Sequence, residues 1–153
     1  MRVSKQYVEE LLQSPDAIDA INQLSQLWSP RLSEKAPNFG LSEVEYMCQL
    51  CLIFFGEVGN GGLSQYFRNR GFRQVPDTLR ALREIGCIEE EAALRSAYGM
   101  IAPSFDRDSG RIDETVLRQF ENFNRIIMRE RPDNRLLGYL RAHRDQVLQP
   151  EQG

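Results

Sequence analysis

A chain of 153 residues, of which 41% are hydrophobic and 27% charged, is long enough for one globular domain and has the composition of an ordinary soluble protein. Its net charge of −3 excludes the basic excess that a nucleic-acid-binding surface needs. No apolar run approaches the roughly 20 residues of a membrane span, and three scattered cysteines do not indicate a disulfide framework. The first residues lack the apolar region of a signal peptide, so we expect a cytoplasmic protein.

The first part of the chain predicts two helices and a loop. Apolar residues from Tyr7 to Leu12 recur at helical spacing. Ser14 followed by Pro15 is typical of a helix start, with serine as the N-cap and proline in the first helical position. The prolines and glycine between Ser29 and Gly40 then indicate a loop. The second helix carries one apolar stripe, which consists of Ile18, Ile21, Leu24, Leu27 and Trp28.

A long apolar helix is predicted after this loop. Ser42 is followed three residues later by Glu45, which is the pattern of a capping box. Apolar residues cover more than one face of the segment as far as Val58, which is typical of a central helix surrounded by others. The run from Gly59 to Gly62 ends this helix, because glycine and asparagine enter left-handed conformations easily. A short helix from Leu63 to Asn69 follows.

The remaining chain continues the helical pattern. A connector from Gly71 to Pro76 precedes two helices that are separated at Gly86, and a polar loop at 103–110 precedes a long helix that begins at Asp113. A last helix follows Pro132, and we expect a disordered tail over residues 149–153. No useful stretch alternates with the period of a strand. The sequence therefore predicts an all-α domain over residues 1–148, a single bundle of seven to eight helices around the central apolar helix.

Most of the chemically suggestive residues have structural interpretations. Cys48 and Cys51 match C-x-x-C, but they lie inside an apolar helix without further metal ligands, so core packing is favoured over a redox or zinc site. His143 is the only histidine and is predicted to lie on a polar surface. The loop acids lack the glycine and glutamate positions of a calcium loop. We therefore predict no cofactor and no metal site. The loop acids are Asp106, Asp108, Asp113 and Glu114.

The glycine run and its polar neighbours form the candidate site. The run could present N–H groups to an anion, but it lacks the ending of a nucleotide-binding loop and favours a tight helix-to-helix turn. Two interpretations of the neighbours stay open. In the first, Glu57 and Asn60 satisfy the N–H groups of the turn. In the second, Tyr66 and Arg70 meet a ligand and Glu57 acts as a base. The polar neighbours are Glu57, Asn60, Gln65, Tyr66, Asn69 and Arg70.

The same stretch resembles a known family. Its pattern E-x-x-N-G-G-x-x-Q-Y-F-x-N is similar to the signature of the bacterial DNA-mimic-protein-like family, a group of helical domains. The segments ALREIGC and LLGYLRAH resemble later blocks of that family, so the resemblance extends over residues 40–145. The residues that carry the signature are Glu57, Asn60, Gly61, Gly62, Gln65, Tyr66, Phe67 and Asn69.

The resemblance implies an all-α fold without an assigned catalytic activity. For the member that gives the family its name, it implies a dimer whose acidic face imitates DNA and occupies a DNA-binding protein. Such a face needs carboxylates at phosphate-like spacing. In this chain a modest acidic patch could be formed by Glu9, Glu10, Asp16, Asp19, Glu34, Glu43 and Glu45.

Three hypotheses for the function follow. The leading one is a non-catalytic helical protein-interaction module that binds another protein and neither nucleic acid nor membrane; a regulatory role and a homodimer are compatible with it. The alternative is a DNA mimic that occupies a DNA-binding regulator through the acidic face of its N-terminal helices. A second alternative is a small-ligand or enzyme site at the polar residues around the glycine run.

Overall fold

The computed structural model describes residues 4–33, 35–103, 105, 109 and 111–147, and most of these residues are helical. No β-strand occurs in these ranges, which confirms the predicted all-α fold. Within the described residues, three short 3₁₀ turns lie at Ser29–Arg31, Pro37–Gly40 and Arg144–Gln146. The described residues form seven α-helices: α1 (Lys5–Leu12), α2 (Ala17–Trp28), α3 (Glu43–Arg70), α4 (Val75–Ile85), α5 (Ile88–Ile101), α6 (Glu114–Ile127) and α7 (Asp133–Ala142).

The chain divides into two compact units. The first unit contains residues 1–49 and 132–153, and the second contains residues 50–131. Helix α3 contributes its beginning to the first unit and its remainder to the second. One domain over residues 1–148 stays a prediction, and the predicted tail at 149–153 lies outside the described residues.

The first unit is built from α1, α2 and α7, which contact one another. Arg141 of α7 donates hydrogen bonds to the carbonyl oxygens of Leu12 and Ser14, and so holds the end of α1. The predicted start of α2 at Ser14 and Pro15 is wrong by two residues: Asp16 is the N-cap, and its Oδ1 accepts from the Asp19 N–H at 3.0 Å. The buried core of this unit includes Leu11, Leu12, Ile21, Leu24, Trp28, Leu136 and Leu140.

Helix α3 begins with the predicted capping box. Ser42 Oγ accepts from the Glu45 N–H at 3.2 Å, and Glu45 Oε1 accepts from the Ser42 N–H at 3.0 Å. Arg31 completes the arrangement with an ion pair of 2.9 Å to Glu45 Oε2. The Glu45 side chain is 0% exposed. Its carboxylate is therefore a buried part of the framework.

Aromatic side chains fill the second unit. Phe54, Tyr66, Phe67 and Phe120 are all buried, and the rings of Phe54 and Tyr66 meet edge to face with centroids 5.2 Å apart. Edge-to-face contact matches the negative face of one ring to the positive edge of the other. In the same unit, α5 contacts both α4 and α6.

Sequence signals placed the boundaries in this unit well. Gly86 ends α4 in a left-handed conformation with φ 93°, which confirms the predicted break. Asp113 is the N-cap of α6, and its Oδ1 accepts from the Thr115 N–H at 2.8 Å. Helix α4 begins at Val75, one residue before the predicted connector ends, because Pro76 is tolerated in a first helical turn.

The structure agrees with the core position predicted for Cys48 and Cys51 and with the surface position predicted for His143. Cys48, Cys51 and Cys87 are buried, and His143 is exposed. Asp106 and Asp108 lie outside the described residues. Within the described ranges, no group of three or more His, Cys, Asp or Glu side chains could hold a metal ion. No helix in these ranges is long and apolar enough to cross a membrane.

Candidate functional site

The glycine run bends α3 sharply at its last two residues. Within Glu43–Arg70 only Gly61 (φ −158°, ψ 17°) and Gly62 (φ 76°, ψ −176°) depart from helical geometry. The predicted break is therefore confirmed, but the helix continues through Gly59 and Asn60 before it bends. The predicted short helix from Leu63 is the second segment of α3 and ends at Arg70.

Gly62 requires glycine, and Gly61 leaves little room for a larger residue. The positive φ of Gly62 is a conformation that L side chains rarely adopt. A Cβ atom at Gly62 would also lie 2.7 Å from Asn124 Nδ2. At Gly61 a Cβ atom would lie 2.8 Å from the Cβ of Gln65. Any larger residue at either position would therefore displace a neighbour.

Asn124 of α6 satisfies the first backbone donor after the bend. Its Oδ1 accepts from the Leu63 N–H at 2.9 Å, across 61 residues of sequence. This is the role of an N-cap, because the first N–H groups of a helical segment have no partner within it. The sequence interpretation assigned this role to Glu57 and Asn60 and did not identify Asn124. No local pattern distinguishes Asn124 from its neighbour Asn122.

The carboxylate of Glu57 joins the two segments of α3. Glu57 Oε2 accepts from Asn69 Nδ2 at 2.8 Å and from Gln65 Nε2 at 3.1 Å. Arg70 Nε lies 3.8 Å from Oε1. The Glu57 side chain is 16% exposed and that of Arg70 is 37% exposed. We call Glu57, Gln65, Asn69 and Arg70 the Glu57 cluster.

Three other side chains of the predicted site lie outside the Glu57 cluster. Tyr66 is only 1% exposed, and its hydroxyl lies 3.3 Å from Thr78 Oγ1 in the core. Burial raises the pKa of Tyr66, although the hydrogen bond with Thr78 and the charge of Arg70 oppose this effect. Phe67 is also buried, whereas Asn60 is exposed. The six polar residues around the bend therefore do not line one open pocket.

Only some residues of the predicted acidic patch are exposed in the structure. Glu45 is buried in the capping box, and Glu34 lies outside the described residues. Asp16 caps α2, and Asp19 accepts from Gln23 Nε2 at 2.7 Å. The members that remain at the surface are Glu10, Asp16, Asp19 and Glu43, with Glu9 partly exposed.

The second unit also has a shallow groove that the sequence did not predict. It lies between α5 and α6, with a volume of about 360 Å³. Its floor is mostly apolar, and an ion pair of 3.4 Å between Glu89 and Arg129 lies at its rim. The apolar residues of this α5–α6 groove belong to the ordinary stripes of two amphipathic helices, so periodicity alone does not distinguish them from core. They are Ala92, Ala93, Phe123 and Ile126.

The bend, the Glu57 cluster and Asn124 all lie in a stretch that matches a known family. The family model described as DMP19-like protein matches residues 40–143. Neither a curated protein nor a solved structure matches the chain. The matched range contains 14 arginines against 15 aspartates and glutamates, and it leaves out α1 and α2 with their exposed carboxylates. This match spans more than half of the chain, and the chain therefore belongs to the DMP19-like protein family.

Proposed function

We propose that this protein is a non-catalytic helical module that binds another protein through its outer surface. The observation that supports the proposal most strongly is the set of contacts made by Glu57, the first residue of the family-like motif. Both oxygens of its carboxylate lie against neighbours on the second segment of α3. A general base must present a lone pair to its substrate. Glu57 Oε2 instead accepts two hydrogen bonds from the second segment of α3, and Oε1 is paired with the Arg70 guanidinium.

The burial of Tyr66 supports the same proposal. A small-ligand or enzyme site at the bend would use the Tyr66 hydroxyl together with Arg70. That hydroxyl lies in the core against Thr78. A ligand could reach it only if the second segment of α3 moved. The motif is therefore better explained as the framework of the second unit than as a reaction centre.

The charge distribution favours a partner that is recognised at short range. The matched stretch carries a net charge of −1. A nearly neutral surface gives little long-range steering, so shape and local polar contacts decide the affinity. The α5–α6 groove offers apolar floor area for such contacts.

The alternative proposal is a DNA mimic that occupies a DNA-binding regulator. It is favoured by the exposed carboxylates of Glu10 on α1, Asp16 at the N-cap of α2 and Asp19 on α2. A regulator site that binds the DNA polyanion would attract them electrostatically, and this attraction falls steeply with salt. In this proposal the interface belongs to helices outside the matched range.

Capture of a partner, followed by titration of the purified pair, tests these proposals. The immobilised protein is incubated with a bacterial lysate, and captured proteins are identified by mass spectrometry. The affinity is then measured at about 50 and 300 mM salt, where screening differs strongly. Charge reversal at Glu10 and Asp19 tests the acidic face. The same reversal at Glu114 and Glu121 of α6 is the matched control, since both pairs are exposed and each includes a first-turn acid.

Each outcome decides between the proposals. A specific partner whose affinity changes little with salt and with either charge reversal supports the interaction module. A DNA-binding partner whose affinity falls at least tenfold with the Glu10 and Asp19 reversal, and falls steeply with salt, supports the mimic. Failure to capture any partner, together with binding of a small molecule that is lost on Glu57→Gln, overturns both.

A further inference from the structure

We propose that Gly61 and Gly62 form a hinge that Asn124 holds in the bent state. When this hold is lost, α3 straightens and exchanges the chain after the hinge with a second copy of the protein. The proposal concerns the conformations available to the chain and is independent of the proposed function. The proposal rests on the distances between side chains across the bend and on the φ and ψ angles of Gly61 and Gly62.

The distances across the bend are incompatible with a continuous helix. A helix rises 1.5 Å per residue, so residues 57 and 69 would lie about 18 Å apart along a straight α3. Instead Glu57 Oε2 and Asn69 Nδ2 are 2.8 Å apart, and Glu57 Oε1 and Arg70 Nε are 3.8 Å apart. The second segment therefore folds back against the end of the first.

Only two residues separate the bent form from a straight one. Within Glu43–Arg70, Gly61 and Gly62 alone have non-helical φ and ψ. If both became helical, the Leu63 N–H would bond to the carbonyl of Gly59 within the helix. Asn124 would then no longer be needed as its acceptor. The hydrogen bond from Leu63 to Asn124 thus belongs to the bent state only.

A straight α3 requires a second copy to restore the core. Leu63, Tyr66 and Phe67 follow the hinge and are at most 1% exposed. A single chain that straightened would remove these side chains from their surroundings. Two chains that exchanged the same part could rebuild each other's core with identical contacts, as in domain swapping. Release of the hinge is therefore expected to produce dimers.

A pair of introduced cysteines distinguishes the two states. Gly59→Cys and Met128→Cys place one thiol on each side of the hinge and leave Glu57 and its partners intact, because a Cβ atom at Gly59 would lie 3.3 Å from Met128 Cε and both residues are exposed. All three native cysteines are 0% exposed. A short bifunctional maleimide joins the new thiols within one chain in the bent state. In the exchanged dimer it joins them between two chains. Non-reducing gels and light scattering report which link has formed.

The cysteine pair is combined with changes at the hinge and at Asn124. Asn124→Ala removes the acceptor, and Gly61→Ala with Gly62→Ala favours a straight helix. Asn124→Asp keeps an acceptor oxygen, and Asn122→Ala changes an exposed asparagine on the same helix.

We expect the fraction of between-chain links to rise at least tenfold with Asn124→Ala and with the double alanine. It should stay at the starting level with Asn124→Asp and Asn122→Ala. Links that remain within one chain in both hinge variants would overturn the proposal. Loss of all linking in both, or an equal rise with Asn122→Ala, would overturn it as well.

Discussion

Helix α3 contains two partly or fully buried carboxylates, Glu45 near its start and Glu57 before its bend, and they depend on the sequence in different ways. Glu45 accepts from Ser42, three residues away, and pairs with Arg31 in the preceding loop. Glu57 accepts from Gln65 and Asn69, which come within reach only because α3 bends.

The comparison shows where each half of α3 obtains its stability. The start of the helix is stabilised by a motif that is complete within four residues and can form as the helix forms. The bend is stabilised by two glycines and by Asn124, which lies 61 residues further along the chain than Leu63. Changes at the bend should therefore disturb tertiary packing, whereas changes at the cap should weaken one helix end. Four predictions test this difference, each measured by urea unfolding at low protein concentration.

The largest effect is expected for Gly62→Ala. The new Cβ atom would occupy a positive φ and lie 2.7 Å from Asn124 Nδ2, so we expect a loss of about 2–4 kcal/mol in the free energy of unfolding. Gly56→Ala is the matched control, because Gly56 is exposed and helical, and a Cβ atom added there would meet no neighbour within 4 Å. It should stabilise the protein by about 0.5–1 kcal/mol. Equal effects at both glycines would contradict the assigned bend.

Glu45→Ala should come next. It removes the carboxylate that accepts from the Ser42 N–H. It also leaves Arg31, whose side chain is 32% exposed, without this partner. Because Arg31 retains access to water, we expect a loss of about 1.5–3 kcal/mol, below that of a fully buried pair. Glu43→Ala, an exposed change in the same first turn, should cost less than about 1 kcal/mol. If the two variants unfold at the same urea concentration, the capping box is not the source of stability.

Asn124→Ala should cost about 0.5–2 kcal/mol, the range for loss of an N-cap. Asn124→Asp keeps the acceptor for the Leu63 N–H and should retain more stability than the alanine variant. Asn122→Ala, on the same helix, should change stability by less than about 0.5 kcal/mol. Hydrogen exchange at the Leu63 amide provides an independent measurement, since exchange should accelerate with Asn124→Ala alone.

The smallest effect at neutral pH is expected for Tyr66→Phe. It removes one hydrogen bond of 3.3 Å to Thr78 and should cost up to about 1 kcal/mol. Because burial raises the pKa of Tyr66 above its usual 10.0, folding favours the neutral phenol. Its contribution is therefore fully present below pH 10 and is lost as the pH rises through the folded pKa. The stability difference between wild type and Tyr66→Phe should shift in favour of phenylalanine above pH 10, and a constant difference would contradict the burial.

Several features of the second unit were readable from short stretches of sequence. Gly86 ends α4 and Asp113 begins α6 as predicted, because glycine in a left-handed conformation and an aspartate N-cap act within one helical turn.

In the first unit, the predicted start of α2 was wrong by two residues, although the sequence signals were of the same kind. Ser14 and Asp16 are both good N-caps, and local propensity does not choose between neighbouring candidates.

By itself the sequence determined an all-α chain, a capping box at Ser42 and a break at the glycine run, since each depends on residues within about four positions of one another. Only the tertiary structure decided that Asn124 serves the bend, that Glu57 binds Gln65 and Asn69, and that Tyr66 is buried while Asn60 is exposed. The physical reason is that hydrogen-bond partners and burial follow from packing between segments. Hydrophobic periodicity and helix-capping patterns in a short stretch of sequence do not show which distant side chain will complete a contact.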